Sequence, residues 1–148
     1  MITVKRLLER KGKGSAVWSI EPSASVYKAL ELMAIKNIGA LLVMEEDELV
    51  GIFSERDYAR KLILKGKSSK ETLISELMTK NVITVDLTTT MRDCMVIMSQ
   101  KHIRHIPVIQ EGEVVGIITI RDVVTEIISD QQQTIQELER YISGGYGG

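Results

Sequence analysis

GIFSERD (residues 51–57) and GIITIRD (residues 116–122) repeat one another position by position. Each begins with a glycine ahead of an apolar strand and ends that strand on a hydroxyl residue, Ser54 or Thr119. An Arg-Asp pair follows (Arg56-Asp57, Arg121-Asp122) on what the pattern makes the first turn of a helix. A hydroxyl and a carboxylate three residues apart across a strand-to-helix turn can face one small polar ligand, with backbone N–H groups at the helix start open to an anion.

The offset of 65 residues between Gly51 and Gly116 holds far beyond the motif. It aligns Val17 with Val82, Met33 with Met98, Ile38 with Ile103, Val43 with Val108, Val50 with Val115 and Ile63 with Ile128. A register kept that long is an internal repeat. In each copy a short strand runs into a Ser/Thr-rich N-cap region (VWSIEPSAS, VITVDLTTT), and a helix follows (VYKALELMAIKN, MRDCMVIMSQKH). Two strands around a polar turn and a second helix complete the unit, the closing helices spanning about 55–64 and from about 120 onward. The expected class is α/β (α+β), with strand, helix, strand, strand, helix in both copies, over residues 17–64 and 82–130. Residues 65–81 form a linker whose short helix turns Leu73, Ile74, Leu77 and Met78 to the core. Residues 1–16 hold an N-terminal helix, and 131–148 a helical extension with a flexible tail. One copy is near the lower size limit for independent stability, so the two are expected to pack as one domain.

Composition narrows the function classes. With 148 residues, 44% hydrophobic and 26% charged, the chain is an ordinary globular domain that can bury a core. Nineteen Lys and Arg against 20 Asp and Glu leave a net charge of -1, which gives no overall electrostatic footprint for nucleic acid or an anionic membrane. No apolar run approaches the roughly 20 residues of a membrane helix. A soluble, cytoplasmic protein is expected. Cys94 is the only cysteine, so an internal disulfide framework and a CxxC metal knuckle are excluded.

The two G-x-x-[ST]-x-x-D motifs in register, the RHIPV segment and the LISELMTKNVITV run into the second copy together resemble a tandem pair of CBS domains, the cystathionine beta-synthase type module called a Bateman module when paired. The resemblance covers nearly the whole chain and is to stand-alone two-CBS proteins. It implies two sheets face to face with pseudo-twofold symmetry, a homodimer, and two clefts for adenosine-containing ligands such as AMP, ADP, ATP, NAD or S-adenosylmethionine. It further implies a non-catalytic sensor that signals to a partner protein. Asp122 and Asp57 are then the ribose-binding candidates, with Thr119 and Ser54 beside them, since a carboxylate accepts from both ribose hydroxyls. The clefts are expected to differ. Arg104 and His105 can meet a phosphate beside Asp122, where the first copy has Gly39 and Ala40. The resemblance places Ile117, Trp18, Ile38 and Gly39 in this main cleft, with Gly39 allowing close backbone approach and Trp18 a stacking face. It places Ile83 and Ile103 in the Asp57 cleft, and Arg56 and Arg121 at the rims.

Plainer readings stand beside these. Asp57 and Asp122 suit a helix's first turn through the macrodipole alone. Arg104 and His105 fit a solvated strand edge, and His102 with His105 has no third ligand nearby to suggest a metal. Cys94, Met33, Met44, Met91, Met95 and Met98 fall at apolar positions and read as packing. TVKRLLERKGKG reads as a short amphipathic helix with a glycine C-cap; its basic character also allows an organelle-targeting segment, against which Glu9 and its brevity argue. The last helix, over about 120–142, keeps an apolar stripe past QQQ with nothing left in the chain to cover it. A structural homodimer with vestigial clefts is the alternative function. An enzyme using His105 is disfavoured because no nucleophile–base pair, metal constellation or Walker loop is visible.

Overall fold

The computed structural model describes residues 2–12 and 17–145. Helix α1 (Val4–Lys11) leads into the first copy: β1 (Ser19–Ile20), α2 (Val26–Lys36), β2 (Ala40–Glu45), β3 (Glu48–Ser54) and α3 (Glu55–Asp57), which continues as a π-helical stretch, Tyr58–Ile63. A short linker helix, α4 (Ile74–Leu77), precedes the second copy: α5 (Met91–Lys101), β4 (His105–Gln110), β5 (Glu113–Thr119) and α6 (Ile120–Gly145). The expected class and duplication are what the structure has.

The repeat is physical down to its irregularities. Ser25 and Thr90 cap α2 and α5, accepting from the N–H of Lys28 and Asp93 at 3.1 Å in both cases. Asn37 and His102, 65 residues apart, end the same helices in left-handed conformation. Both hairpins turn on two residues with positive φ, Glu46-Asp47 and Glu111-Gly112, as a two-residue loop between right-twisted strands requires. Both ladders slip in register at the same place, after Val43 and after Val108.

The leading strands differ. β1 pairs in parallel with β2, and the Leu42 N–H donates to the Trp18 carbonyl at 3.2 Å. In the second copy Pro107 stands where Leu42 does, and proline has no N–H to offer Ile83. The strand expected at VITV therefore shrinks to one bridge, Val85 with Val108, so the two sheets hold three strands and two.

Each copy has its own core. Ile20, Val26, Met33, Leu41, Val43, Phe53 and Leu62 are buried with Ile74 and Leu77 of α4. Val85, Met91, Cys94, Met98, Ile106, Val108, Ile118 and Val123 are buried with Val4 and Leu7 of α1. Thus α1, which precedes the first copy, completes the second, and α4 completes the first. Leu73 differs from expectation: its side chain is exposed while its backbone N–H bonds to Glu76 Oε2 at 2.7 Å. Ala40, Leu42 and Pro107 are buried on the strand faces turned away from these cores. Gly39 lies against His105, and a Cβ added to it would stand 3.5 Å from Nε2, so the two copies meet across these inner faces.

The motif glycines mark where the crossed helices press on the strands. A Cβ on Gly51 would stand 2.6 Å from Met78 Sδ and 3.1 Å from the Thr79 carbonyl oxygen; on Gly116 it would stand 2.8 Å from Leu8 Cδ2. Gly51→Ala is expected to destabilise by about 1–3 kcal/mol, because backbone must move. Gly116→Ala should cost less, since only the end of Leu8 is in the way. Chemical denaturation of the two variants checks the order.

Candidate functional site

The repeated motif folds as a strand running directly into a helix, and the same bond closes both turns. The Glu55 N–H donates to the Gly39 carbonyl at 3.1 Å and the Ile120 N–H to the Arg104 carbonyl at 2.9 Å. At the first turn the Ser54 and Asp57 side chains form a reciprocal cap: the Ser54 N–H donates to Asp57 Oδ2 at 2.9 Å and the Asp57 N–H to Ser54 Oγ at 3.3 Å. Thr119 and Asp122 repeat it, at 2.9 and 3.2 Å. The capping role is thus real for both aspartates.

Their remaining valences separate them. Asp57 Oδ2 also accepts from Ser54 Oγ at 3.1 Å, while Oδ1 faces Lys61 Nζ at 3.1 Å and Thr79 Oγ1 at 3.5 Å. Both of its oxygens are engaged. Asp122 Oδ2 takes the Thr119 N–H and Lys11 Nζ, the latter at 2.9 Å, whereas Oδ1 takes no hydrogen bond from the described residues. Lys11 comes from α1 and donates also to the Ile117 carbonyl at 3.2 Å. Beside it Arg10 pairs with the buried Glu126 at 3.0 Å. The N-terminal helix therefore brings two cations to the second copy's turn.

His105 is the second member. It faces Thr119 across the β4–β5 ladder and touches Gly39 of the other copy. Burial pushes its imidazole below the ordinary pKa of 6.5; Glu55 opposes the shift, Arg104 adds to it and Asp122 opposes it. Neutral His105 therefore sits within electrostatic reach of two carboxylates. The sign of its pH effect follows: an unfolded chain takes up this proton near pH 6.5 and the folded one only at lower pH. Its contribution to stability is whole above 6.5 and is lost as pH falls through the folded value. Melting temperatures from pH 7.5 to 5.5 are expected to fall more steeply for the parent chain than for His105→Asn. Burial also pushes the Cys94 thiol up to about 11, consistent with a packing role.

Other expected members are placed as follows. Ile38 and Gly39 line a surface cleft of about 330 Å³ together with Leu30, Met33, Ala34, Asn37 and Glu55. Trp18 is exposed, and Lys36 Nζ sits over its ring, 4.1 Å from the centroid, so this stacking face is already occupied. Arg56 donates to the His102 carbonyl at 2.7 Å, tying the copies together at the second rim. Ile83 is half-buried, and half-buried Ile103 packs against the second core. Arg104 and Arg121 are exposed. A groove of about 440 Å³ along α6, lined by Ser129, Gln132, Gln133, Gln136, Glu137 and Arg140, lies on the exposed surface of a single helix, away from the repeated turns. Among the described residues no three His, Cys, Asp or Glu side chains gather as a metal site, and no helix is long and apolar enough to cross a membrane.

Three residues of this region escaped the sequence. Glu55 had a signal, since it breaks the repeat where the second copy has Ile120. Lys11 and Arg10 had a weaker one. Val4, Leu7 and Leu8 lie 70 positions before Ile74, Leu77 and Met78, so α1 and α4 are themselves a repeat, at a different offset.

The CBS-domain family matches residues 15–64 and 74–129. The chain is 39% identical over 152 aligned residues to the mitochondrial CBS domain-containing protein CBSX3 of Arabidopsis thaliana, covering 97% of this chain and 73% of the relative. The crystal structure of the CBS-domain protein NE2398 superposes with a TM-score of 0.80 at 46% identity, covering 85% of this chain and 97% of the other. The CBS pair of protein MJ0100, solved with 5′-methylthioadenosine and S-adenosyl-L-methionine, superposes with a TM-score of 0.73 at 26% identity over 88% of this chain and 98% of the other. Two matched segments, the crossed helices and the doubled strand-to-helix turn agree: the chain belongs to the CBS-domain family and carries two such domains as a pair.

Proposed function

We propose that this CBS pair is a non-catalytic sensor that binds an adenosine-containing ligand at the Asp122 turn, works as a homodimer and passes the bound state to a partner protein. The observation that carries the reading is the contrast between the aspartates. Asp57 has both oxygens engaged, whereas Asp122, whose Oδ2 is held by Thr119 and Lys11, keeps Oδ1 open among the described residues, with His105 opposite Thr119 in the ladder and within electrostatic reach of the carboxylate. An open carboxylate oxygen beside a hydroxyl suits a ribose, and a cation within reach suits the phosphate of AMP, ADP, ATP or NAD. The adenosyl ligands of the MJ0100 pair support the ligand class. A ligand that binds one arrangement of the two copies better than another shifts their populations, and this is the signalling step.

The saturated Asp57 favours a second reading for its own cleft, which is vestigial in a structural dimer. A thermal-shift screen with AMP, ATP, NAD(H) and S-adenosylmethionine separates the two. A rise in melting temperature with at least one of them is expected. No rise with any, at millimolar concentrations, would leave the structural dimer as the function. The reading keeps the protein in the cytoplasm; subcellular fractionation tests this against the mitochondrial location of the plant relative.

A further inference from the structure

Helix α6 has two faces along its first turns. Val123, Glu126 and Ile127 face inward onto the second core and α1, while Val124 and Ile128 on the outer face are 47% and 51% exposed. The outer face continues down the helix after the domain ends. Residues 131–142 are all exposed, yet they include Ile135, Leu138 and Ile142. At 1.5 Å per residue, α6 is about 39 Å long, and nearly half of it stands clear of its own domain. A helical segment of about a dozen residues is marginal in water unless something packs on it.

The spacing of the exposed residues says what packs. Ile128, Ile135 and Ile142 recur every seven residues. Val124, Gln131 and Leu138 form a second seven-residue series, each four positions before one of those isoleucines. This is the seam of a two-stranded coiled coil, with β-branched isoleucine at each first position and leucine or valine at two of the three second ones. Isoleucine and leucine in that order favour two parallel strands over three or four. Gln131 is the one polar residue in the seam, and it can hydrogen-bond its own counterpart when the strands are parallel and in register. No charged side chain interrupts the stripe from Val124 to Ile142 on these positions.

We infer that α6 pairs with α6 of a second copy of this chain as a parallel, in-register two-stranded coiled coil through Val124, Ile128, Gln131, Ile135, Leu138 and Ile142. The inference rests on the homodimer reading and specifies where the subunits meet. It makes the length of α6 functional: a shift between the two CBS domains is transmitted to a helix shared by both subunits.

Cysteine crosslinking in the full-length chain tests it. The native Cys94 is buried and contributes little background. Leu138→Cys lies on the seam, and Gln133→Cys lies on the opposite face of the helix. Mild oxidation is expected to convert most Leu138→Cys chains to a covalent dimer and few Gln133→Cys chains. Leu138→Asp is expected to weaken the dimer at least tenfold in sedimentation while AMP binding stays unchanged. Equal crosslinking at both positions, or none at 138 in a chain that sediments as a dimer, would overturn the seam and leave the homodimer standing. A monomeric parent chain would overturn both.

Discussion

Asp122→Ala is expected to reduce affinity for an adenosine nucleotide by at least about 100-fold in calorimetric titration, while Asp57→Ala changes it little. Two charge-assisted hydrogen bonds to a ribose, at about 1.5 kcal/mol or more each, amount to roughly that factor. The asymmetry comes from the oxygens: Asp57 is closed by Ser54, Lys61 and Thr79, and Asp122 is closed on one side only. Each substitution also removes a helix cap, for about 0.5–2 kcal/mol of stability, so both variants should remain folded and comparable. Equal losses in the two would reject the assignment of the main cleft. Lys11→Met refines the picture. It releases Asp122 but removes a phosphate partner, so it should favour adenosine over AMP relative to the parent chain.

Val4→Asp is expected to be strongly destabilising although Val4 lies outside both repeats. Val4 is fully buried in the second core, and a carboxylate placed there without a partner costs several kcal/mol, a large part of the roughly 5–15 kcal/mol that holds a domain together. Arg6→Asp, at an exposed position of the same helix, is the control and should stay within about 0.5 kcal/mol of the parent chain. Denaturant midpoints of the two variants measure the difference. A small effect of Val4→Asp would mean that α1 is dispensable to the second domain.

Much of this architecture was legible because duplication doubles every signal. The hydroxyl-to-aspartate spacing, the caps at Ser25 and Thr90, the hairpin turns and the end of each strand all recur at one offset. The crossing was not legible, since a different offset relates α1 to α4 and α1 packs on the second copy, with the whole first copy intervening in sequence, while α4 folds back on the first copy rather than forward onto the second. Lys11 was hidden for that reason: 111 residues separate it from Asp122. Pro107 carried a readable warning about the second leading strand, because a missing N–H is a local fact. Trp18 shows the opposite limit. Its place in the alignment was clear, but the ammonium of Lys36 on its ring depends on how α2 ends. The saturation of Asp57 likewise turns on Lys61, where the second copy has Glu126.

The most direct test of the central claim is a two-dimensional amide NMR titration of the full-length chain with AMP. Shifts concentrated at Gly39, Thr119 and Asp122, with Ser54 and Asp57 little moved, are predicted. Shifts centred on Asp57, or none at saturating AMP and at saturating S-adenosylmethionine, would contradict it.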